Sequence, residues 1–167
     1  MPINGIEQPE FINIASIDDA LRLRRFDGSF GFAREWYQDT ELVYLVDGDR
    51  TAYTPDRLER MYRFLDGIGE LYFIEVRENG RFIPIGDVTF LQTDMPIVIG
   101  VPEYRGRGIG RRVIAALAER GRLLGYDRLY VREIYSYNEG SKRCFESVGF
   151  RECEKTEAGA RYVLELT

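Results

Sequence analysis

The stretch EYRGRGIGRRV, Glu103 to Val113, sets three glycines and four arginines directly ahead of a run with helical apolar spacing. The five residues IVIGV before it read as a strand. After it, RRVIAALAERGRLLGY places Ile114, Leu117, Gly121 and Leu124 on one helix face, with Gly125 placed to stop the helix. The stretch is therefore a glycine loop between a strand and a helix N-terminus. Such a loop offers free backbone N–H groups and the positive end of the helix dipole, which together suit phosphate. Arg105, Arg107, Arg111 and Arg112 add charge, and a guanidinium can hold phosphate oxygens two at a time. Two common phosphate loops fail on spacing. A dinucleotide fingerprint starting at Gly106 needs Gly or Ala where Arg111 stands, and a nucleotide P-loop needs Gly-Lys-Ser/Thr, which is absent. Taken alone, the loop leaves open a plain glycine turn with solvated arginines.

Outward from the loop, the chain alternates strand and helix signals. ELYFIEVRENGRFIPIGDVTFLQ is two β-rich runs around Asn79-Gly80, a strong hairpin pattern. TPDRLERMYRFLDGIG has Thr54 as N-cap, Pro55 at the first helical position and Leu58, Met61, Tyr62 and Leu65 at helical spacing, ending at Gly67 and Gly69. ALRLRRF reads as a strand with one buried face, and SFGFAREWYQD as a short helix capped by Ser29 with Phe32 and Trp36 on one side. Downstream, RLYVREIY is a strand, EGSKRCFESVGF a helix ending at Gly149, and ARYVLELT a strand. No repeat, linker or low-complexity segment interrupts the order, so one α/β domain is expected.

Composition narrows the chemistry. At 167 residues and 44% apolar content, the chain can bury one sizeable core. It contains no histidine, which excludes His-based triads and removes the commonest transition-metal ligand. Cys144 and Cys153 lack metal or disulfide spacing and read as structural. The net charge of −5 disfavours a nucleic-acid binder and mildly favours a cationic substrate. No apolar run reaches membrane-spanning length, and MPINGIEQPEF lacks a signal-peptide pattern, so a cytoplasmic protein is expected.

Arg105-x-x-Gly108-x-Gly110 at a strand-to-helix junction, preceded by VPEY and followed by NEGSKRCFESVGF, resembles the GNAT superfamily of acyl-CoA-dependent N-acetyltransferases. The resemblance runs from about Ala20 to the C-terminus. REWYQDTELV, with Trp36 and Asp39, is similar to the branch containing ribosomal-protein and aminoglycoside N-acetyltransferases. What the resemblance implies is an α/β (mixed α+β) fold in one domain spanning 1–167. Its central mixed sheet is mostly antiparallel, with helices on both faces and a splayed strand pair at the cofactor site. Acetyl-CoA is the implied cosubstrate, without a metal. Arg105, Gly106, Arg107, Gly108, Ile109, Gly110 and Arg111 are implied to hold the pyrophosphate. The strand from Ile97 to Val101, with Val98, Ile99 and Gly100, is implied to pair with the pantetheine arm, as a peptide would add to a sheet edge. The Val98 N–H is implied to polarise the thioester carbonyl, with Asn138 and Ser141 near the pantetheine and thiol. From the residues alone, Asn138 is an N-cap, and both roles are compatible.

Moving an acetyl group from a thioester to an amine needs a neutral amine, support for an oxyanion and a proton for the thiolate. An alkyl ammonium titrates near 10 and a thiol near 8.5, so freeing the amine is the larger task. By resemblance Asp94 is the first candidate base, with Asp87 and Glu75 as competitors. The usual tyrosine acid of the superfamily is Phe145 here, which cannot donate a proton. Tyr135, Tyr137 or water then supplies it, or the thiolate leaves unassisted. Cys144 as an acetylated nucleophile lacks a histidine to activate it. The expected function is acetyl transfer to a primary amine, either a polyamine- or aminoglycoside-like molecule or a protein N-terminus. The alternative is an acyl-CoA-binding module of little or no activity. Trp36, Tyr37, Asp39, Tyr72 and the turn at 156–160 are candidate acceptor walls, and the family resemblance allows a homodimer.

Overall fold

The structure, a computed structural model, describes residues 14–167. The MPINGIEQPEF segment lies outside the described residues. Five strands form an antiparallel sheet in chain order: β1 (Ile14–Asp18), β2 (Leu21–Arg25), β3 (Glu70–Glu78), β4 (Arg81–Phe90) and β5 (Ile97–Ile99). A second antiparallel sheet holds β6 (Arg128–Tyr135), β7 (Arg151–Lys155) and β8 (Gly159–Glu165) in the order β6-β8-β7. The helices are α1 (Thr40–Asp47), α2 (Pro55–Ile68), α3 (Ile109–Leu123) and α4 (Glu139–Val148).

Local sequence signals explain most of these boundaries. Asn79 and Gly80 both take left-handed backbone, with φ of 51° and 77°, the conformation that a tight hairpin between twisted strands needs. Thr54 Oγ1 accepts from Arg57 N, Pro55 opens α2, and Gly69 ends it. Gly149, at φ 114°, ends α4.

The two faces carry different cores. On one, α3 and α4 pack Ile109, Val113, Ile114, Leu117 and Phe145 against Leu23, Ile74, Val88 and Leu129. On the other, α1, α2 and the segment before them bury Trp36, Tyr37, Val43, Leu58 and Tyr62 against Leu71, Phe73 and Val98. Burying a side chain such as Leu58 or Phe73 contributes roughly 2–3 kcal/mol.

The structure corrects the helix expected around Ser29. Two 3₁₀ turns, Gly31–Ala33 and Trp36–Gln38, stand there, and no side chain caps the first. The Ser29 N–H instead donates to Asp27 Oδ1 at 2.9 Å. Aromatic packing against the sheet accounts for the break, since Phe32 meets Phe73 edge-on at 4.7 Å while adjacent Trp36 and Tyr37 are both buried. Helix α1, strand β1 and strand β7 were not anticipated. TELVYLVD is apolar on several sides and gives no clear 3.6-residue stripe, and every residue of β7 (RECEK) is exposed.

Candidate active site

The site is a gap between the two sheets. β5 and β6 run in the same direction and are joined at one end, where Tyr130 N donates to Gln92 O (2.8 Å) and Arg132 N donates to Asp94 Oδ1 (3.0 Å). Beyond that point β6 pairs with β8 and, among the described residues, leaves β5 without a neighbouring strand on its gap side. The β4–β5 ladder fixes which groups of β5 face the gap. Thr89 N bonds Pro96 O (2.9 Å) and Gly100 N bonds Ile85 O (2.7 Å). Bonded rungs alternate in an antiparallel pair, so the rung between them is Asp87–Val98, and the Val98 N–H and C=O point into β4. The backbone groups of Ile97 and Ile99 point into the gap. The expectation that the Val98 N–H polarises a thioester carbonyl is therefore corrected: that donor is turned into the ladder, and the donors available are those of Ile97 and Ile99.

At the open end stands the N-terminus of α3. Gly108, its N-cap at φ +79°, provides no side-chain bond, and the first turn holds no acid. The first helical N–H to find a carbonyl is that of Arg112, bonded to Gly108 O at 3.2 Å. Among the described residues the N–H groups of Ile109, Gly110 and Arg111 have no acceptor and are thus left to an outside one, at the positive end of the dipole. Gly106, at φ +71°, allows the preceding turn to curl back. This end opens on a groove of about 520 Å³ lined largely by apolar groups.

The four loop arginines have separate uses. Arg105 turns back from the loop, donating to Ile99 O (2.8 Å) and Gly100 O (3.4 Å) and lying 3.7 Å from Asp39 Oδ2. It ties β5 to Asp39, whose Oδ1 caps α1 by accepting from Glu41 N and Leu42 N. Arg107 lies 5.2 Å from the Tyr104 ring centroid, and Arg112 pairs with Asp18. Arg111 lines the groove together with Arg143, which the sequence reading missed. Neither has a carboxylate partner among the described residues, so these two are the cations free to meet an anion.

Of the other expected cofactor residues, Val98, Ile99, Arg105, Gly106, Gly108, Ile109, Gly110, Asn138 and Ser141 line the groove. Gly100 and Arg107 do not. Gly100 packs against Trp36, and a Cβ there would lie 2.2 Å from Trp36 Cγ. Asn138 caps α4 through Oδ1, accepting from Ser141 N at 3.1 Å, while its Nδ2 donates to Leu45 O at 3.4 Å. Beside it, Tyr137 Oη donates to Tyr44 O (2.9 Å), and the two rings stack at 4.4 Å. These contacts hold α1, whose Leu42, Leu45 and Val46 form the opposite wall. That wall was absent from the sequence reading.

The acid and base candidates separate by partner. Glu75 is buried, with Arg22 Nε on Oε1 (2.7 Å) and Arg24 Nε on Oε2 (2.9 Å), so neither oxygen is free of a cation. Asp94 lies at the joined end of the gap, its Oδ1 accepting from both Met95 N and Arg132 N, and the structure does not bring it into the groove lining. Asp87 is buried, is likewise not itself among the groove-lining residues although its ladder partner Val98 is, and receives two hydroxyls, Tyr37 at 2.7 Å and Tyr62 at 2.8 Å. Burial pushes its carboxyl up to about 6, although both tyrosine bonds pull it down. Tyr137 spends its hydroxyl on Tyr44. Tyr135 stacks on Tyr137 at 5.3 Å, and its hydroxyl has no hydrogen-bond partner among the described residues. Burial, then the Glu133 charge, raise its pKa and keep it protonated. Neither tyrosine is among the groove-lining residues. Phe145 is buried against Phe150, and burial raises the Cys144 thiol, which disfavours a nucleophilic thiolate. Tyr72 belongs to the opposite face: its hydroxyl donates to Glu70, the partner of Arg120, so it is no acceptor wall.

An uncapped helix N-terminus, a narrow apolar groove and a strand whose gap-side N–H groups are unpaired among the described residues together suit a ligand with an anionic head and an amide-bearing arm. Comparison with family models agrees: residues 30–150 match the acetyltransferase (GNAT) family. The chain belongs to the GNAT family of acetyltransferases, for which acetyl-CoA is the acyl donor. Solved structures share the fold. A domain from Methanocaldococcus jannaschii is similar at 21% identity over 89% of this chain and 99% of that one, with a TM-score of 0.77. The spermidine N-acetyltransferase from Vibrio cholerae, in complex with CoA and spermine, matches at 18% identity, covering 89% and 97%, with a TM-score of 0.71. AAC(6')-Ib in complex with ribostamycin and coenzyme A matches at 18%, covering 88% and 94%, with a TM-score of 0.69. Comparison with curated protein sequences gives no match.

Proposed function

We propose that this protein transfers the acetyl group of acetyl-CoA directly to a primary amine on a small polyamine- or aminoglycoside-like molecule or at a protein N-terminus. The observation that carries the reading is the uncapped N-terminus of α3, with three unbonded N–H groups opening on the groove beside the free edge of β5. In this reading Ile109, Gly110 and Arg111 hold the pyrophosphate with their backbone, and Arg111 and Arg143 add charge-assisted bonds. The Ile97 peptide and the Ile99 N–H pair with the pantetheine amides, while Leu42, Leu45 and Val46 cover the arm and exclude water. When bound, acetyl-CoA supplies an activated acyl group and a thiolate that departs.

Tyr135 is the source of the thiolate's proton in this reading, supported by a hydroxyl that has no hydrogen-bond partner among the described residues and that burial keeps protonated. The acidic balance of the chain and the amine ligands of two structural neighbours, spermine and ribostamycin, support a cationic acceptor. A cytoplasmic location belongs to the same proposal. Among the described residues no helix is long and apolar enough to cross a membrane.

The test is coenzyme A release with acetyl-CoA and a panel of polyamines, aminoglycosides and short peptides with free N-termini. Turnover with at least one member is expected. Tight acetyl-CoA binding without turnover on any of them would favour the second reading, an acyl-CoA-binding module. That reading is prompted by Phe145 at the position where the family resemblance implies a tyrosine acid.

A further inference from the structure

Asp87 is placed at a cost that packing alone does not explain. Its carboxylate is 2% exposed, both tyrosine hydroxyls donate to the same oxygen, Oδ2, and no Lys or Arg pairs with it among the described residues. Oδ1 accepts no hydrogen bond among those residues. A neutral amide could receive the same two hydroxyls without burying an uncompensated charge. The position is one rung from the groove. Asp87 is the ladder partner of Val98, which lines the groove, and rung partners project from the same face of a sheet. This face also packs Leu42 of α1, another groove wall.

Resting on the acetyltransferase reading, we propose that Asp87 Oδ1 takes the proton from the acceptor's ammonium and so frees the amine to attack. In that step an N–H bond of the ammonium breaks, an O–H bond forms at Asp87, and the nitrogen keeps the electron pair that attacks the thioester carbon. As the C–S bond breaks, Tyr135 gives its hydroxyl proton to the departing thiolate and is reprotonated by the nitrogen's second proton, and Asp87 then releases its proton to solvent. Tyr37 and Tyr62 hold the carboxylate from Oδ2 and stabilise its charged form.

The groups facing Asp87 are Tyr37 from the second 3₁₀ turn, Tyr62 from α2 and Tyr53 from the α1–α2 connection, whose ring centroid lies 4.9 Å from that of Tyr37. Thr89 shares its strand. Asp47 lies one step further out, taking the Tyr53 hydroxyl and pairing with Arg57 at 3.1 Å. With its carboxyl raised to about 6, Asp87 is ionised at neutral pH, and activity falls as pH drops through that value.

The experiment is the pH profile of kcat with an amine that supports turnover, alongside calorimetry of coenzyme A binding. The unaltered chain should show an acid limb near pH 6. Tyr37→Phe and Tyr62→Phe each remove a donor to the anion and should move that limb to higher pH. Asp87→Asn should lower kcat about a hundredfold or more, remove the limb and leave coenzyme A affinity unchanged, with Asp87→Glu recovering part of the rate. Without any ligand, infrared titration should show a carboxylic-acid carbonyl band growing below about pH 6 that Asp87→Asn lacks. An unmoved limb in both tyrosine variants, or Asp87→Asn within about threefold of the starting kcat, overturns the assignment while the acetyltransferase reading stands. If the unaltered chain turns over no amine, that reading falls and takes the assignment with it. Should Asp87→Asn fail to fold, the two tyrosine variants decide.

Discussion

The two faces of the sheet solve different problems. On the α3–α4 face the functional groups are mainly backbone: three N–H groups at an uncapped helix end and the gap-facing peptides of β5, over an apolar core. On the α1–α2 face they are side chains: Tyr37, Tyr53, Tyr62 and Asp87 form a polar cluster inside an otherwise aromatic core. Backbone recognition depends on conformation and tolerates many side chains. A side-chain cluster depends on each hydroxyl and carboxylate having its partner. The first kind of site suits a cofactor bound in one fixed way, and the second suits an acceptor whose charge must be managed.

The sharpest way to break the backbone half is Gly108→Val. A β-branched residue at φ +79° is strained by about 1–2 kcal/mol, and relieving that strain rotates the N–H groups of the α3 N-terminus. Coenzyme A affinity should fall about a hundredfold by calorimetry while far-ultraviolet circular dichroism is retained. Unchanged affinity would mean that the helix end does not hold the anion.

The matching change on the other face acts on stability with the opposite sign. Asp87 has a native pKa of about 6 against an ordinary 3.8, so between those values the unfolded chain binds fewer protons than the folded one. The stability it contributes is fully present below pH 3.8 and is lost as pH rises through 6. The stability of Asp87→Asn relative to the unaltered chain should therefore grow by about 2–3 kcal/mol between pH 4 and pH 7.5, read by urea unfolding. A difference independent of pH would place the ionised carboxylate in better solvation than its burial indicates.

A smaller effect separates arginines that look alike in sequence. Arg111→Ala removes a free groove cation and should weaken coenzyme A binding about tenfold, with a shallower salt dependence and an unchanged Tm. Arg105→Ala removes the tie among Ile99, Gly100 and Asp39, and should lower Tm while costing less affinity. Equal effects from both would erase the distinction.

The same contrast explains what could be read in advance. The glycine loop, α3, α4 and the β3–β4 hairpin announce themselves through local chemistry: Gly108, Gly149, Asn138 and Asn79-Gly80 each act on the backbone within a few residues. Arg105 and Arg111 sit six positions apart in one motif, yet only the fold shows that one is used internally and the other is free. Asp87 was named as a competitor and Asp94 preferred by resemblance. What separates them is that Asp94 meets a β6 amide 38 residues away, while Asp87 meets Tyr37 and Tyr62 at separations of 50 and 25. Helix α1 was missed for a related reason. Its ends are held by Arg105, Tyr137 and Asn138, all more than 60 residues downstream, while its apolar pattern faces a core and a groove at once.

Asn138 is where the two halves meet, and it yields the smallest of the expected effects. Its Oδ1 caps α4 on the cofactor side, and its Nδ2 holds Leu45 O at the end of α1 on the acceptor side. Asn138→Ala should cost about 1 kcal/mol as a lost cap. Asn138→Asp keeps an acceptor for Ser141 N but has no N–H for Leu45, so it should restore the cap and leave α1 untied. Amide hydrogen exchange separates the two roles. In the alanine variant, protection should fall in both the first turn of α4 and the last turn of α1; in the aspartate variant, only in α1. If exchange in α1 is the same in both variants as in the unaltered chain, the 3.4 Å bond to Leu45 carries no strength and the Tyr44–Tyr137 stack alone holds that wall.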